Sequence, residues 1–197
     1  MNSIEKQLKE FPYQLILGSN SPRRQELLKS LGFNFINKPI HADESFSEEL
    51  YAEHIPLYLA EKKANAYQDI LKEHELLITA DTIVWCKEKV FNKPNNYLES
   101  KQMLENLSGQ THEVFTGVCL KSHKKQITFY DVSKVYFKAL KSEEIDYYLT
   151  NFNPYDKAGG YGVQDWIGYI GIEKIEGSFY NVMGLPVKKL YEELMNF

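Results

Sequence analysis

"LILGSNSPRRQELLKSLG", residues 15–32, sets the fold class, because it reads as a buried strand, a loop and a helix in one short run. Leu15, Ile16 and Leu17 form the apolar run of a buried strand. Gly18, Ser19 and Asn20 interrupt it. Ser21 suits the N-cap, Pro22 the first helical position, and Leu27, Leu28 and Leu31 recur at helical spacing. Gly32 is a natural stop. This frame puts Arg23 and Arg24 in the first turn, against the positive end of the helix dipole, where each exposed cation costs about 0.3–1 kcal/mol. The chain shows an ordinary start elsewhere: in KSEEIDYYL, residues 141–149, Ser142 is expected to cap and Glu143 and Glu144 fill the first turn. An anion would reconcile the arginines with their position, since backbone N–H groups, dipole and guanidiniums would converge on one phosphate or carboxylate. Two solvated arginines beside surface acids account for the residues equally well, and on the residues alone both readings stand.

Outward from that stretch, 197 residues of 43% hydrophobic and 25% charged composition suffice for one core, or one core with a small lobe. The net charge of −4 excludes a general nucleic-acid binder but leaves room for a local basic pocket. Cys86 and Cys119 lie in separate apolar segments without a CxxC pair, which suits a reducing compartment. The start MNSIEKQLKEFPY is polar, and no apolar run approaches membrane-spanning length. A cytoplasmic, soluble protein with one continuous α/β domain over residues 1–197 is expected.

FNFINKPI predicts a strand, and HADESFSEEL a loop running into a short helix. PLYLAEKKANAYQDILKEH predicts one long helix with Leu59, Lys63, Ala66 and Ile70 on a shared face. ELLITADTIVWC reads as a pair of strands broken by Thr79, Asp81 and Thr82, with KEK as a hairpin turn into VFNKP. NNYLESKQMLENLSG is helical, EVFTGVCL and ITFYDVSKVYFKAL are strands, and a helix follows from Ser142. The last helix carries Val187, Leu190, Tyr191 and Leu194 behind Pro186. Early alternation of strands and helices, then consecutive strands, predicts an α/β fold: a mixed twisted sheet flanked by helices.

Asp81 is the sharpest candidate for chemistry. It follows the apolar run LLITA, which places a carboxylate at the end of a buried strand. Burying it costs several kcal/mol unless it is paired, hydrogen-bonded or holding a metal. Capping of a following turn is the alternative. Lys63 lies on the apolar side of its helix, whereas Lys62 and most lysines of this kind are solvated. Lys93 precedes Pro94, and Lys157 precedes Ala158-Gly159-Gly160, where bare backbone lets a ligand approach. There is no Walker A loop, GxSxG or dinucleotide fingerprint, and His41, His54, His74, His112 and His123 form no zinc set. Carboxylates would favour a hard cation such as Mg²⁺ or Mn²⁺.

Taken together, GSNSPRRQELLKSLG, AEKKANAY, ITADTIVW, NKPNNYLESKQMLENLSGQTHEVFTGVCL and DKAGGYGVQDWIGYIGIEKIEGSFYNVMGLPV resemble the Maf family of nucleotide pyrophosphatases. The segments follow the family's order from residue 15 to about residue 190. The resemblance implies an elongated α/β fold with a deep cleft, similar to inosine triphosphate pyrophosphatases. It also implies hydrolysis of a nucleoside triphosphate to the monophosphate and pyrophosphate. Asp81 matches the catalytic acid. Arg23, Thr82 and Gln164 match substrate-selecting positions, and Ser19, Arg24, Lys63, Lys93 and Lys157 the phosphate-binding set. Glu44, in ADE, matches an acidic position near a divalent metal that Asp81 would share.

KAGGYGVQ with GSFYNVMGLP is similar to the branch acting on dTTP and UTP rather than on methylated GTP. Gln164 presents a donor and an acceptor, which suits the O4/N3–H edge of uracil or thymine, and Tyr161 or Trp166 could stack on the base. Asn153 stands where relatives often carry an acid, and Gly160 where they carry alanine. A small-molecule triphosphate is the implied partner, without nucleic acid or membrane; a homodimer is implied by the resemblance alone. A non-catalytic nucleotide-binding regulator of cell division, or a pyrophosphatase for methylated GTP or other modified nucleotides, are the competing readings. Loss of Asp81 would favour the regulator, and Asp81 is present.

Overall fold

A computed structural model describes residues 3–197. In chain order the elements are α1 (Ser3–Lys9), β1 (Gln14–Leu17), α2 (Pro22–Ser30), β2 (Phe35–Asn37), α3 (His54–Asn65), β3 (Glu75–Cys86), β4 (Lys89–Phe91) and α4 (Tyr97–Leu107). There follow β5 (Thr111–Lys121), β6 (Gln126–Phe137), α5 (Ser142–Phe152), a 3₁₀ turn (Ala158–Gly160), α6 (Trp166–Gly171), β7 (Ile172–Glu176), α7 (Phe179–Val182) and α8 (Val187–Met195). The sheet runs β2-β1-β3-β5-β6-β7, with β4 also paired to β3. β1 is parallel to β2 and to β3, while β3–β4 and β6–β7 are antiparallel, so the sheet is mixed as expected.

β3 is one continuous strand of 12 residues, not two interrupted pieces. Its polar residues find partners sideways and do not break it: the Thr79 hydroxyl, for example, donates to the Ala60 carbonyl at 2.6 Å. Pairing with β1 ends at Leu17↔Ile78, and pairing with β4 begins at Val84↔Phe91. Thr79–Ile83 therefore lies outside both ladders. The KEK turn is present, with Lys87 and Glu88 both left-handed (φ 50° and 60°), as a two-residue type I′ hairpin requires.

Three expectations are corrected. The long helix stops at Asn65, where the Ala66 N–H bonds back to the Lys62 and Lys63 carbonyls. Beyond it the Lys38 ammonium holds Tyr67 Oη (3.2 Å) and Asp69 (2.7 Å), and Ile70 is 92% exposed instead of facing the core. HADESFSEEL forms no helix, because Asp43 and Ser47 side chains accept from the backbone N–H groups of Ser45 and Glu49, favouring local turns. Lys141, not Ser142, occupies the N-cap of α5; the Glu144 carboxylate reaches back to its N–H at 2.9 Å.

The chain divides into two compact units. The first comprises the described residues up to Asp81 together with Gly117–Tyr130 and Gly184–Phe197. Its core sets Ile16 and Leu77 of the parallel strands against Ala60 and Ala64 of α3, with Leu71 and Cys119. The second comprises Thr82–Thr116 and Asp131–Met183. There Leu104 and Leu107 of α4 and Ile145, Tyr148 and Leu149 of α5 pack with Val84, Val114, Val135 and Phe137. Burying side chains of this size contributes roughly 1.5–3 kcal/mol each.

Candidate active site

Asp81 lies in the middle of β3, not at its end, and no turn follows for it to cap. The strand runs on to Cys86, pairing with β4 from Val84, and Asp81 is only 7% exposed. Its charge is met by Lys63 of α3, whose ammonium contacts Asp81 Oδ1 and also Glu44 Oε1 at 2.8 Å. One buried ammonium thus holds two carboxylates in the first unit. Lys63 was expected on the apolar side of its helix, and it is there, 8% exposed, whereas neighbouring Lys62 pairs outward with Asp43.

α2 begins as the sequence predicts. Ser21 caps it, accepting from the Arg24 N–H at 3.4 Å, and Pro22 opens it. Ser19, 6% exposed, accepts from the Ser21 N–H at 3.1 Å and so orders the preceding loop. Arg24 is not a solvated arginine: Nε donates to the Gly184 carbonyl (2.8 Å) and Nη1 to the Ala80 carbonyl (2.9 Å). The second bond falls in the interval of β3 between its ladders with β1 and β4, next to Asp81. Burial lowers the Arg24 pKa from its ordinary value, Asp81 and Glu44 oppose that fall, and Arg23 adds to it. The first unit therefore gathers Arg23, Arg24, Lys63, Asp81 and Glu44 into one electrostatic neighbourhood.

The second unit holds the remaining candidates. Thr82 follows Asp81 on β3 and so leaves the strand on its opposite side; its hydroxyl lies 2.9 Å from that of Thr116. Lys157 pairs with Asp156 (2.7 Å) and Asp165 (3.6 Å). Asp165 also accepts from Tyr148 Oη at 2.7 Å, and that same hydroxyl accepts from the Gly162 N–H at 3.0 Å. The loop from Lys157 to Gln164 is thereby tied to α5. Lys93 is exposed on the neighbouring loop, which the Gly159 N–H joins through the Asn92 carbonyl at 3.1 Å. Gln164 Oε1 is buried and has no hydrogen-bond partner among the described residues.

Tyr161 cannot serve as a stacking platform. It is 5% exposed, packs edge-on against Phe137 and hydrogen-bonds His112 Nε2 at 2.7 Å. Trp166 is partly buried, its ring 4.8 Å from that of Tyr147. Asn153, where relatives often carry an acid, is the left-handed C-cap of α5, a conformation asparagine tolerates well. Gly160 has φ +68°, and a Cβ there would sit 2.7 Å from Ser100 Oγ, so glycine is needed in this chain. Thr116, Asn181 and Asp165 went unremarked in the sequence; each is polar in an apolar or glycine-rich run, but its partner lies far along the chain.

Among the described residues no group of three or more His, Cys, Asp or Glu side chains is arranged to hold a metal ion. A carboxylate pair is a different case. Mg²⁺ commonly takes one or two carboxylates and completes its octahedron with water and phosphate oxygens, so Asp81 and Glu44 fit a hard divalent cation that arrives with a polyphosphate. No helix among the described residues is long and apolar enough to cross a membrane.

Comparison with known proteins identifies the family. A protein of Parabacteroides distasonis named dTTP/UTP pyrophosphatase is 53% identical over 186 residues, covering 94% of this chain and 96% of that one. One of the same name from Bacteroides thetaiotaomicron is 52% identical over 183 residues (92% and 95%), and one from Flavobacterium johnsoniae 48% over 182 residues (92% and 94%). The solved structure of the Staphylococcus aureus Ham1 protein matches with a TM-score of 0.44 at 10% identity, over 63% of this chain and 71% of that one, too distant for any inference. A family model described as Maf-like protein matches residues 14–197. With that match and relatives about half identical over nearly its whole length, the chain belongs to the Maf-like protein family.

Proposed function

We propose that this chain is a nucleoside triphosphate pyrophosphatase that hydrolyses dTTP and UTP to the monophosphate and pyrophosphate. The observation that carries the reading is Lys63, one buried ammonium holding the carboxylates of Asp81 and Glu44 beside the arginines of α2. The names of the relatives support the substrate class.

In the reaction a water oxygen forms a bond to the α-phosphorus, the bridging bond from that phosphorus to the β-phosphate oxygen breaks, and its electron pair leaves with pyrophosphate. Asp81 accepts the proton of the attacking water and orients it. Ser19, Arg23, Arg24, Lys63, Lys93 and Lys157 supply the positive and hydrogen-bonding set that such a leaving group needs. Arg24 acts chiefly through its charge, because two of its donors hold main-chain carbonyls. Arg23, Thr82 and Gln164 select the substrate, with the Gln164 amide complementing the O4/N3–H edge of the base. Asp81 and Glu44 would hold a divalent cation, Mg²⁺ or Mn²⁺, which when bound neutralises phosphate charge.

Pyrophosphate release from dTTP, UTP and a methylated GTP, measured for the wild type and Asp81→Asn, tests the reading. The wild type is expected to turn over the two pyrimidine nucleotides and the variant to be at least about 100-fold slower. Equal rates for the two proteins, or no release by the wild type, would overturn it.

A further inference from the structure

Asp165 is the N-cap of α6, yet its carboxylate accepts no backbone N–H of that helix. An aspartate in this position ordinarily accepts from the second or third helical residue. Here the carboxylate turns the other way. Its Oδ2 accepts the proton of Tyr148 Oη at 2.7 Å and lies 3.6 Å from the Lys157 ammonium. The same phenol oxygen accepts from the Gly162 N–H at 3.0 Å. The two bonds of the Tyr148 hydroxyl thus go to the two ends of one short segment.

That segment is a β-turn. Gly162, Val163, Gln164 and Asp165 form it, closed by the Asp165 N–H on the Gly162 carbonyl at 3.0 Å. Gln164 stands third in the turn. Beyond it the Asp165 carbonyl accepts the Gly168 N–H at 2.9 Å, which ties the turn to the start of α6. Tyr148 is a rigid anchor for this arrangement. Its side chain is fully buried in the core of the second unit with Leu104, Leu107 and Ile145, and its ring stacks on that of Phe152 at 5.4 Å. The hydroxyl cannot follow the turn if the turn moves. Without it the buried Gly162 N–H has no partner, and the turn must open for that group to reach water.

We infer that Tyr148 is a positioning residue that fixes, through the turn at residues 162–165, the Gln164 amide that reads the base. The inference rests on the pyrophosphatase reading above. Gln164 Oε1 is buried and has no hydrogen-bond partner among the described residues, which leaves it as an acceptor for a ligand donor. Thymine and uracil each carry one ring donor, N3–H. A hydrogen bond weakens steeply with misalignment, so what this contact contributes depends on how firmly the turn is held.

The test compares dTTP with its N3-methyl analogue, which lacks the ring donor, in the wild type, Tyr148→Phe, Gln164→Ala and the double variant. The wild type is expected to show a KM about tenfold higher for the analogue, with kcat changed less than about twofold. Tyr148→Phe is expected to raise the KM for dTTP about tenfold at nearly unchanged kcat, which brings the two compounds within about twofold of each other. In the Gln164→Ala background the same substitution is expected to change KM less than about twofold, because the amide it acts through is gone. An equal effect of Tyr148→Phe in both backgrounds, or a phenylalanine variant that keeps the full ratio between the compounds, overturns the inference. Asp165 repeats the test from the other end of the turn and does not depend on Tyr148→Phe folding. Asp165→Asn, which still accepts from Tyr148, is expected to keep the wild-type ratio, and Asp165→Leu to reduce it at least about threefold. Equal ratios in these two overturn the inference; weaker pairing of Lys157 affects both compounds alike and cancels. A wild type that releases pyrophosphate yet treats the two compounds alike overturns the inference and leaves the activity standing. A wild type inactive on dTTP and UTP overturns the underlying reading instead.

Discussion

Arg24 offers five N–H donors, and two of them hold the carbonyls of Ala80 and Gly184. Two arginines in a first helical turn signalled that something unusual lay there, and the composition of that turn could not say that one of them braces main chain. Asp81 and Lys63 were more legible. A carboxylate after LLITA and a lysine on an apolar helix face each demand a partner, and they turn out to be each other's. Thr116 was not legible, since a threonine suits a strand and its partner Asn181 lies 65 residues on. Nor was His112, whose ring is 1% exposed and bonded to Tyr161. Burial lowers its pKa from 6.5 to about 4. The unfolded chain takes up this proton as pH falls through about 6.5, while the folded chain resists until about 4. The group therefore stabilises the fold above that window and loses its contribution, about 3 kcal/mol, across it. Chemical denaturation of the wild type and His112→Gln at pH 7 and pH 4 checks this: the drop in stability is expected to be about 3 kcal/mol smaller in the variant.

At the level of elements, the helical and strand patterns located most of the chain, and the misreadings share a cause. The sequence pattern overruns the end of α3 and breaks β3, because hydrogen bonds from outside a segment decide where it stops or continues. Lys38 captures Tyr67 and Asp69 after the helix, and Ala60 and Lys63 satisfy the polar residues of the strand. Packing contacts of glycine were equally hidden. EVFTGVCL reads as a strand whatever its glycine touches, yet a Cβ at Gly117 would sit 2.5 Å from the Leu57 nitrogen and closer still to the Pro56 carbonyl. The start of α3 lies directly on that bare backbone. Gly117→Ala is expected to push α3, and with it Lys63, away from β5 and to destabilise the protein by about 3 kcal/mol. A urea titration checks the stability, and pyrophosphate release, falling with it, checks the displacement of Lys63.

At the scale of the whole molecule, the mixed α/β class was readable from the succession of elements. The sheet order was not, because placing β2 beside β1 and β7 beside β6 depends on pairings that no local pattern encodes. Both thiols are buried, Cys86 in one unit and Cys119 in the other. Burial raises the pKa of each, that of Cys119 to about 12. A thiolate-directed disulfide reagent is therefore expected to leave the native protein untouched over minutes and to titrate both cysteines in guanidinium. Neither unit is a single run of sequence, and the first draws in Gly184–Phe197, where Leu190 and Leu194 of α8 are at most 2% exposed. Vectorial folding on the ribosome is consequently of little use to this protein. Its amino-terminal strands emerge many seconds before the segment that seals their unit, so the nascent chain passes through synthesis with that core open and in need of protection.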